Sequence, residues 1–155
     1  MEKISIIRAG DIQTIARLIG QKALEDHLIV QRYDALSTNS VYFKFDYGVI
    51  GSLRISDHPG RIQHCYKFNL QSDVAMHWEK KDREKGKFAM IAYAPLTQEG
   101  FNYICEQILA NKKRFVDYYG DWSYRSIMER NHAYYRKSKG FWQKASYLNS
   151  RKDLF

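Results

Sequence analysis

The apolar residues of this chain change their spacing twice, and no other feature of the sequence constrains its fold as much. Ile12, Ile15, Ala16, Ile19 and Ala23 recur at three- and four-residue intervals, which builds one stripe along a helix. From Val41 the interval drops to two: Val41, Phe43 and Phe45 alternate with Tyr42, Lys44 and Asp46, as in a strand with one buried face. From Phe101 the helical interval returns through Ile104, Cys105, Ile108, Leu109, Phe115, Val116 and Tyr119. A chain patterned this way folds a sheet against helices, and its class is α+β.

Turn and cap residues set the expected boundaries. Asp11 can cap the first helix, and the stripe fades near Arg32 and Tyr33, so the spacing predicts a helix over about 11–32. Gly20 sits inside it at a small propensity cost. Tyr47-Gly48 joins the first alternating run to a second with Val49, Gly51, Leu53 and Ile55, which predicts a β-hairpin. The polar turn Ser56–Gly60 separates this from a third run, Ile62, His64, Tyr66, Phe68 and Leu70. The charged stretch Glu79–Lys87 is expected to be a loop before a fourth strand around Phe88–Tyr93, which Pro95 stops. Thr97 caps the second long helix. Asp121 caps a third through Trp122, Ile127, Met128 and Tyr135, ending at Gly140.

The expected fold is therefore an antiparallel meander of about four strands covered by two long helices. An α+β core domain occupies residues 1–120, and a basic, aromatic helical extension over 121–155 packs on it. A chain of 155 residues suits one hydrophobic core.

Little in the sequence points to catalysis. Cys65 and Cys105 make neither a disulfide framework nor a zinc spacing. Ile4, Ile6 and Ile7 run at once into Arg8 and Asp11, unlike a signal peptide, and no stretch approaches a membrane span. The expected setting is the reducing cytoplasm of its host. The opening IIRAGDIQTIARLIG has the rhythm of an acetyltransferase start, but no Gly-rich pyrophosphate loop follows. Arg54, Ser56, Asp57, His58 and His64 form the strongest enzymatic candidate, able to bind a metal or supply a general base. Its carboxylates are too few for a nuclease or hydrolase metal site, and Ser56-Asp57 before Pro59 reads as an Asx-type turn. His77 and His132 stand alone, and Cys105 fills the core. The expectation is a binder, with no catalytic residue, metal or cofactor assigned.

Charge and aromatics gather at one end. Residues 1–110 carry 14 Lys and Arg against 13 Asp and Glu, whereas residues 111–155 carry 11 against 4. Most of the net charge of +8 thus lies in the last third, which suits a polyanionic partner. Lys112, Lys113 and Arg114 form a run. Arg125, Arg130, Arg136, Lys137, Lys139 and Lys144 interleave with Tyr124, Tyr134, Tyr135, Trp142 and Tyr147. Cations contact phosphates and rings stack on bases, but Trp, Tyr and Arg also dominate protein hot spots. About half of the rings, Trp122, Tyr135 and Trp142 among the candidates, are expected to pack the last helix onto the sheet. The candidate partner-binding set is Lys112, Lys113, Arg114, Arg125, Arg130, Tyr134, Arg136, Lys137, Lys139 and Trp142.

Residues 36–70, LSTNSVYFKFDYGVIGSLRISDHPGRIQHCYKFNL, carry Ser40-Val41-Tyr42, then Leu53-Arg54-Ile55-Ser56-Asp57-His58, then an aromatic-Asn strand. This segment resembles a module in small proteins of phages and mobile elements of Gram-positive bacteria, some of which are type II anti-CRISPR inhibitors. It covers less than a quarter of the chain. The resemblance implies a stoichiometric inhibitor that binds the CRISPR effector nuclease or its guide-RNA complex, blocks DNA cleavage and needs no active site. Many such inhibitors are acidic DNA mimics. This chain is basic, so the resemblance implies contact with guide RNA or an acidic face of the nuclease.

Two other readings follow from the residues. One is a nucleic-acid-binding accessory protein of a phage or mobile element. The α-β-β-β-α order is similar to a double-stranded-RNA-binding domain, although Thr97-Gln98-Glu99-Gly100 lacks the lysines such a domain sets on phosphates. The other is a metal-dependent nuclease built on Asp57, His58 and His64.

Overall fold

A left-handed residue decides where the first helix stops. In the computed structural model, which describes residues 12–35, 40–56, 67–71, 91–137 and 145–149 and omits the side chains at 67, 91 and 134–137, helix α1 spans Ile12–Glu25. It buries Ile12, Ile15, Ala16, Ile19 and Ala23 as the stripe predicts. His27 adopts φ 61, and its N–H donates to Leu24 O while Leu28 N–H donates to Ala23 O. This is the Schellman pattern of a helix C-terminus. The expected helix over 11–32 is thereby cut short, and its last residues form a strand instead.

That strand, β1 (Val30–Asp34), is followed by β2 (Ser40–Phe45), β3 (Gly51–Ser56), β4 (Lys67–Gln71), β5 (Ile91–Pro95) and β6 (Ser146–Tyr147). They form one antiparallel sheet in the order β5-β4-β3-β2-β1-β6. Among the described residues the sheet has six strands rather than about four. The four alternating runs correspond there to β2–β5, while Ile62, His64 and Tyr66 of the third run and residues 88–90 of the fourth lie outside the described residues. β1 was hidden by the apolar run Leu28-Ile29-Val30, which prolongs the helical rhythm, and β6 is too short to show an alternation. Pro95 is the last residue of β5, where its missing N–H costs least.

Thr97 caps α2 (Gln98–Tyr119), its Oγ1 accepting from Gly100 N at 3.0 Å. Gly120, at φ 85, separates it from α3 (Asp121–Lys137), where Asp121 is the first helical residue rather than the cap. Residues 138–140, the expected end of this helix, lie outside the described residues.

Helices α1 and α2 cover one face of the sheet. Phe43, Phe45, Leu53, Ile55, Phe68 and Leu70 meet Ile15, Ile19, Phe101 and Ile104 there, all nearly or wholly inaccessible. Each such side chain contributes about 1.5–3 kcal/mol by leaving water. A second cluster, Val49, Phe115, Tyr124 and Ile127, joins α2 and α3 to the bend after β2. Val49 was expected in the second strand. It lies instead in the β2–β3 connection, which is longer than the predicted Tyr47-Gly48 turn because a 3-10 turn occupies Asp46–Gly48.

Candidate partner-binding site

The β2–β3 bend is held in a conformation that side chains rarely adopt. Asp46 (φ 49) and Tyr47 (φ 57) are left-handed in succession before Gly48 (φ 90). Each non-glycine residue there costs about 1–3 kcal/mol, and such conformations persist where surrounding contacts fix them. Those contacts come from the helices. Asn131 Nδ2 donates to Tyr47 O at 3.0 Å, and Asn111 Nδ2 donates to Ile50 O. Both asparagines are almost wholly buried.

Asp46 is the hub of the bend. Its side chain is buried, with Oδ1 accepting from Ile29 N at 2.8 Å and Oδ2 from the Tyr124 hydroxyl at 2.6 Å. The Lys112 ammonium stands 3.1 Å from Oδ2 and 5.6 Å from the centre of the Tyr124 ring. Burial pushes the Tyr124 hydroxyl far up, and the adjacent Asp46 charge adds to that. Burial also raises Tyr47, to about 12; its ring stacks on His132 at 4.4 Å.

Above this hub lies a groove of about 640 Å³ between α2, α3 and the end of α1. Ile29, Val116 and Met128 give it apolar walls, while His27, Asp121, Arg125 and Glu129 stand at its rim. Trp122, Arg125 and Glu129 lie at helical spacings of three and four, so they run along one side of α3. Trp122 is 81% exposed. A tryptophan usually hides most of its large ring, which makes this exposure costly unless something covers it. Tyr118, also exposed, stands in the last turn of α2 with its ring 4.7 Å from that of Tyr119. The corner between α2 and α3 is therefore aromatic as well as charged.

The expected site residues divide among several environments. Lys112 and Arg125 converge on the groove. Lys113 points to solvent and pairs with Asp117 at 2.7 Å. Arg114 is half-buried, donates to Asn111 Oδ1 at 2.9 Å and lies 5.4 Å from the Phe115 ring centre; burial lowers its pKa. Arg130 is exposed on α3, and its helical position turns it away from the groove. Tyr134, Arg136 and Lys137 belong to the last turns of α3, their side chains outside the described set. Lys139 and Trp142 lie outside the described residues altogether, as do Asp57, His58, His64 and His77.

Sequence reasoning missed Trp122 as a surface residue and Asp46, Asn111 and Asn131 as a clamp. For the asparagines a signal existed, since Asn111 falls on the stripe of Ile108 and Phe115, and Asn131 on that of Tyr124 and Ile127. A polar residue at a core position implies a buried polar partner. Trp122 gave no such signal, because its neighbours on the helix differ little from those of a packed ring.

Among the described residues no group of three or more His, Cys, Asp or Glu could hold a metal ion. None of the helices described is long and apolar enough to cross a membrane. Compared with protein-family models, curated proteins and solved structures, the chain matches none.

Proposed function

We propose that this chain is a binding protein without catalysis of its own, which docks through the α2–α3 corner and blocks a partner by occupying its surface. The observation that carries this reading is the exposure of Trp122 beside Arg125 and the groove. Trp and Arg anchors next to an apolar recess are the usual composition of a protein hot spot. The partner class rests on the resemblance of residues 36–70 to mobile-element inhibitors: a guide-loaded type II CRISPR effector nuclease, whose DNA cleavage the chain would prevent. The basic last third fits guide RNA or an acidic face of such a complex. The same excess of 11 Lys and Arg over 4 Asp and Glu in residues 111–155 favours the second reading, a nucleic-acid-binding accessory protein.

The test is a pull-down of the purified chain by guide-loaded effector, with bare guide RNA and duplex DNA as parallel baits. Retention by the nuclease complex, lost in Trp122→Ala and weakened in Arg125→Ala, is the expected result. The loss should amount to about 2 kcal/mol for the tryptophan. Retention by bare nucleic acid alone favours the second reading, and a Trp122→Ala protein that binds as well as the parent removes the corner from the interface.

A further inference from the structure

The sheet face turned away from α1 and α2 carries a row of side chains that the docking reading leaves unused. Register places Tyr33 opposite Tyr42, Tyr42 opposite Arg54, Arg54 opposite Asn69, and Asn69 opposite Tyr93. The row crosses five strands, and neighbouring Cβ atoms across such pairs are about 5 Å apart. None of the described strand positions on this face is an Asp or Glu.

Two atoms in the middle of the row have no place in the folded chain's own hydrogen bonding. Arg54 Nε, a donor, and Asn69 Oδ1, an acceptor, are both shielded from solvent and have no hydrogen-bond partner. Arg54 Nη2 donates to Ser56 Oγ at 3.3 Å, so the guanidinium is partly anchored. Gln31, only 3% exposed in the adjoining row, has Oε1 in the same unpartnered condition. Orphaned buried polar atoms are uncommon in native folds, and each costs about 1–3 kcal/mol. Three on one face of one sheet suggest that something else completes them.

The position of the pair also matters. On the β1–β2 side the face is shielded, with Gln31 and Lys44 buried. On the β4–β5 side it opens, with Gln71 exposed and Tyr93 50% exposed. Arg54 and Asn69, each only partly buried, stand at this border, where a flat group lying against the Tyr93 ring would meet them edge-on once the side chains over their shielded atoms turn aside. Every nucleotide of a single strand offers an acceptor beside a donor on the pairing edge of its base, a flat face for stacking, and a phosphate that a basic side chain such as Arg54 attracts.

We propose that this row binds an unpaired base of a single-stranded nucleic acid, with Arg54 and Asn69 on the base edge and Tyr93 against its face. Because every base presents both groups, recognition is tolerant of sequence. A base held in a duplex cannot present its pairing edge, so duplexes are excluded. The inference does not depend on the docking proposed for α3.

The experiment is fluorescence anisotropy with labelled RNA and DNA single strands of about ten nucleotides, and with the matching duplexes. The expected result is single-strand binding at least about tenfold tighter than duplex binding. Tyr93→Ala should weaken it about tenfold, as loss of one stacked base would. Tyr93→Phe should preserve it, and Arg54→Met should weaken it comparably. Binding of either strand supports the site, and the tighter of the two identifies its source. Failure to bind any single strand overturns the proposal. So does affinity unchanged in both Tyr93→Ala and Arg54→Met, or binding abolished only by the paired Arg125→Ala and Arg130→Ala changes. Melting curves of each variant guard against unfolding, and Tyr93, half in solvent, disturbs packing least.

Discussion

Asn131 donates its side-chain amide to the carbonyl of Tyr47 at 3.0 Å, across 84 residues of chain, and so ties the middle of α3 to the strained bend of the sheet. The bond is buried, so removing the donor leaves a carbonyl without water or partner. Asn131→Ala should therefore lower stability by about 1–3 kcal/mol, read as a shifted denaturation midpoint. Asn131→Asp should be worse than Asn131→Ala, because it sets an acceptor and a charge against that carbonyl. If all three proteins unfold alike, Asn131 does not clamp the bend.

Asp46 and Lys112 form the second clamp. Asp46→Ala strips acceptors from Ile29 N, from the Tyr124 hydroxyl and from the Lys112 ammonium at once. A loss of about 3 kcal/mol is expected, in line with buried pairs that lose one partner. Lys112→Met should cost less, since that side chain is 30% exposed and Asp46 keeps its other two donors. The order of the two midpoints checks the arrangement.

The α1 terminus offers a stabilising change. His27 holds the left-handed position that glycine fills in most Schellman endings. His27→Gly should add about 0.5–1 kcal/mol, the relief of left-handed strain less the greater freedom of glycine when unfolded. A melting temperature that falls would mean that the imidazole contributes more than its backbone costs.

Gly100→Ala should do the reverse. A Cβ at this position would run into the carbonyl of Pro95, and backbone cannot give way as a side-chain tip can. The expected cost is about 1–3 kcal/mol, together with a weaker Thr97 cap, measurable by denaturation and by faster amide exchange in the first turn of α2.

Alkali should destabilise the fold. Burial raises the Cys105 thiol from 9.0 to about 12 and the Tyr47 hydroxyl from 10.0 to about 12, and it raises Tyr124 still further. In each case the folded protein keeps its proton where the unfolded chain has lost it. The stabilisation is complete below the unfolded values and declines as pH climbs from about 9 toward about 12. Denaturation midpoints at about pH 8 and about pH 11 should differ in that direction. Cys105 should also react with thiol reagents only as fast as the protein opens.

How much of this was legible in the residues depends on how local each cause is. The stripe from Ile12 to Ala23, the alternation from Val41 to Phe45 and the Thr97 cap all act within a few positions, and each appears where expected. β1 was not legible, because the signal that ends α1 is a histidine in a glycine's conformation. β6 was not legible either. Ser146 and Tyr147 are placed by partners far away in sequence, with Leu148 N–H donating to Val30 O and Asn149 bonding both Val30 N and Leu28 O. Of the candidate site, Lys112 and Arg125 could be named from charge alone. Their convergence on one groove could not, since it depends on how α2 and α3 meet the bend. Even Gly20 acquires a reason only in three dimensions, because a Cβ there would come within 2.8 Å of the Leu148 side chain.

The pairing of β6 with β1 also has a consequence for synthesis. Residues 30–34 emerge from the ribosome early and find β2 within a short stretch of chain, but their other edge stays open until residues 146–149 have been made. Until then the nascent chain displays an unpaired strand edge, the feature through which polypeptides most readily join one another. Arg32 lies in that strand and Asp34 at its end, and charges on an open edge disfavour its pairing with another chain.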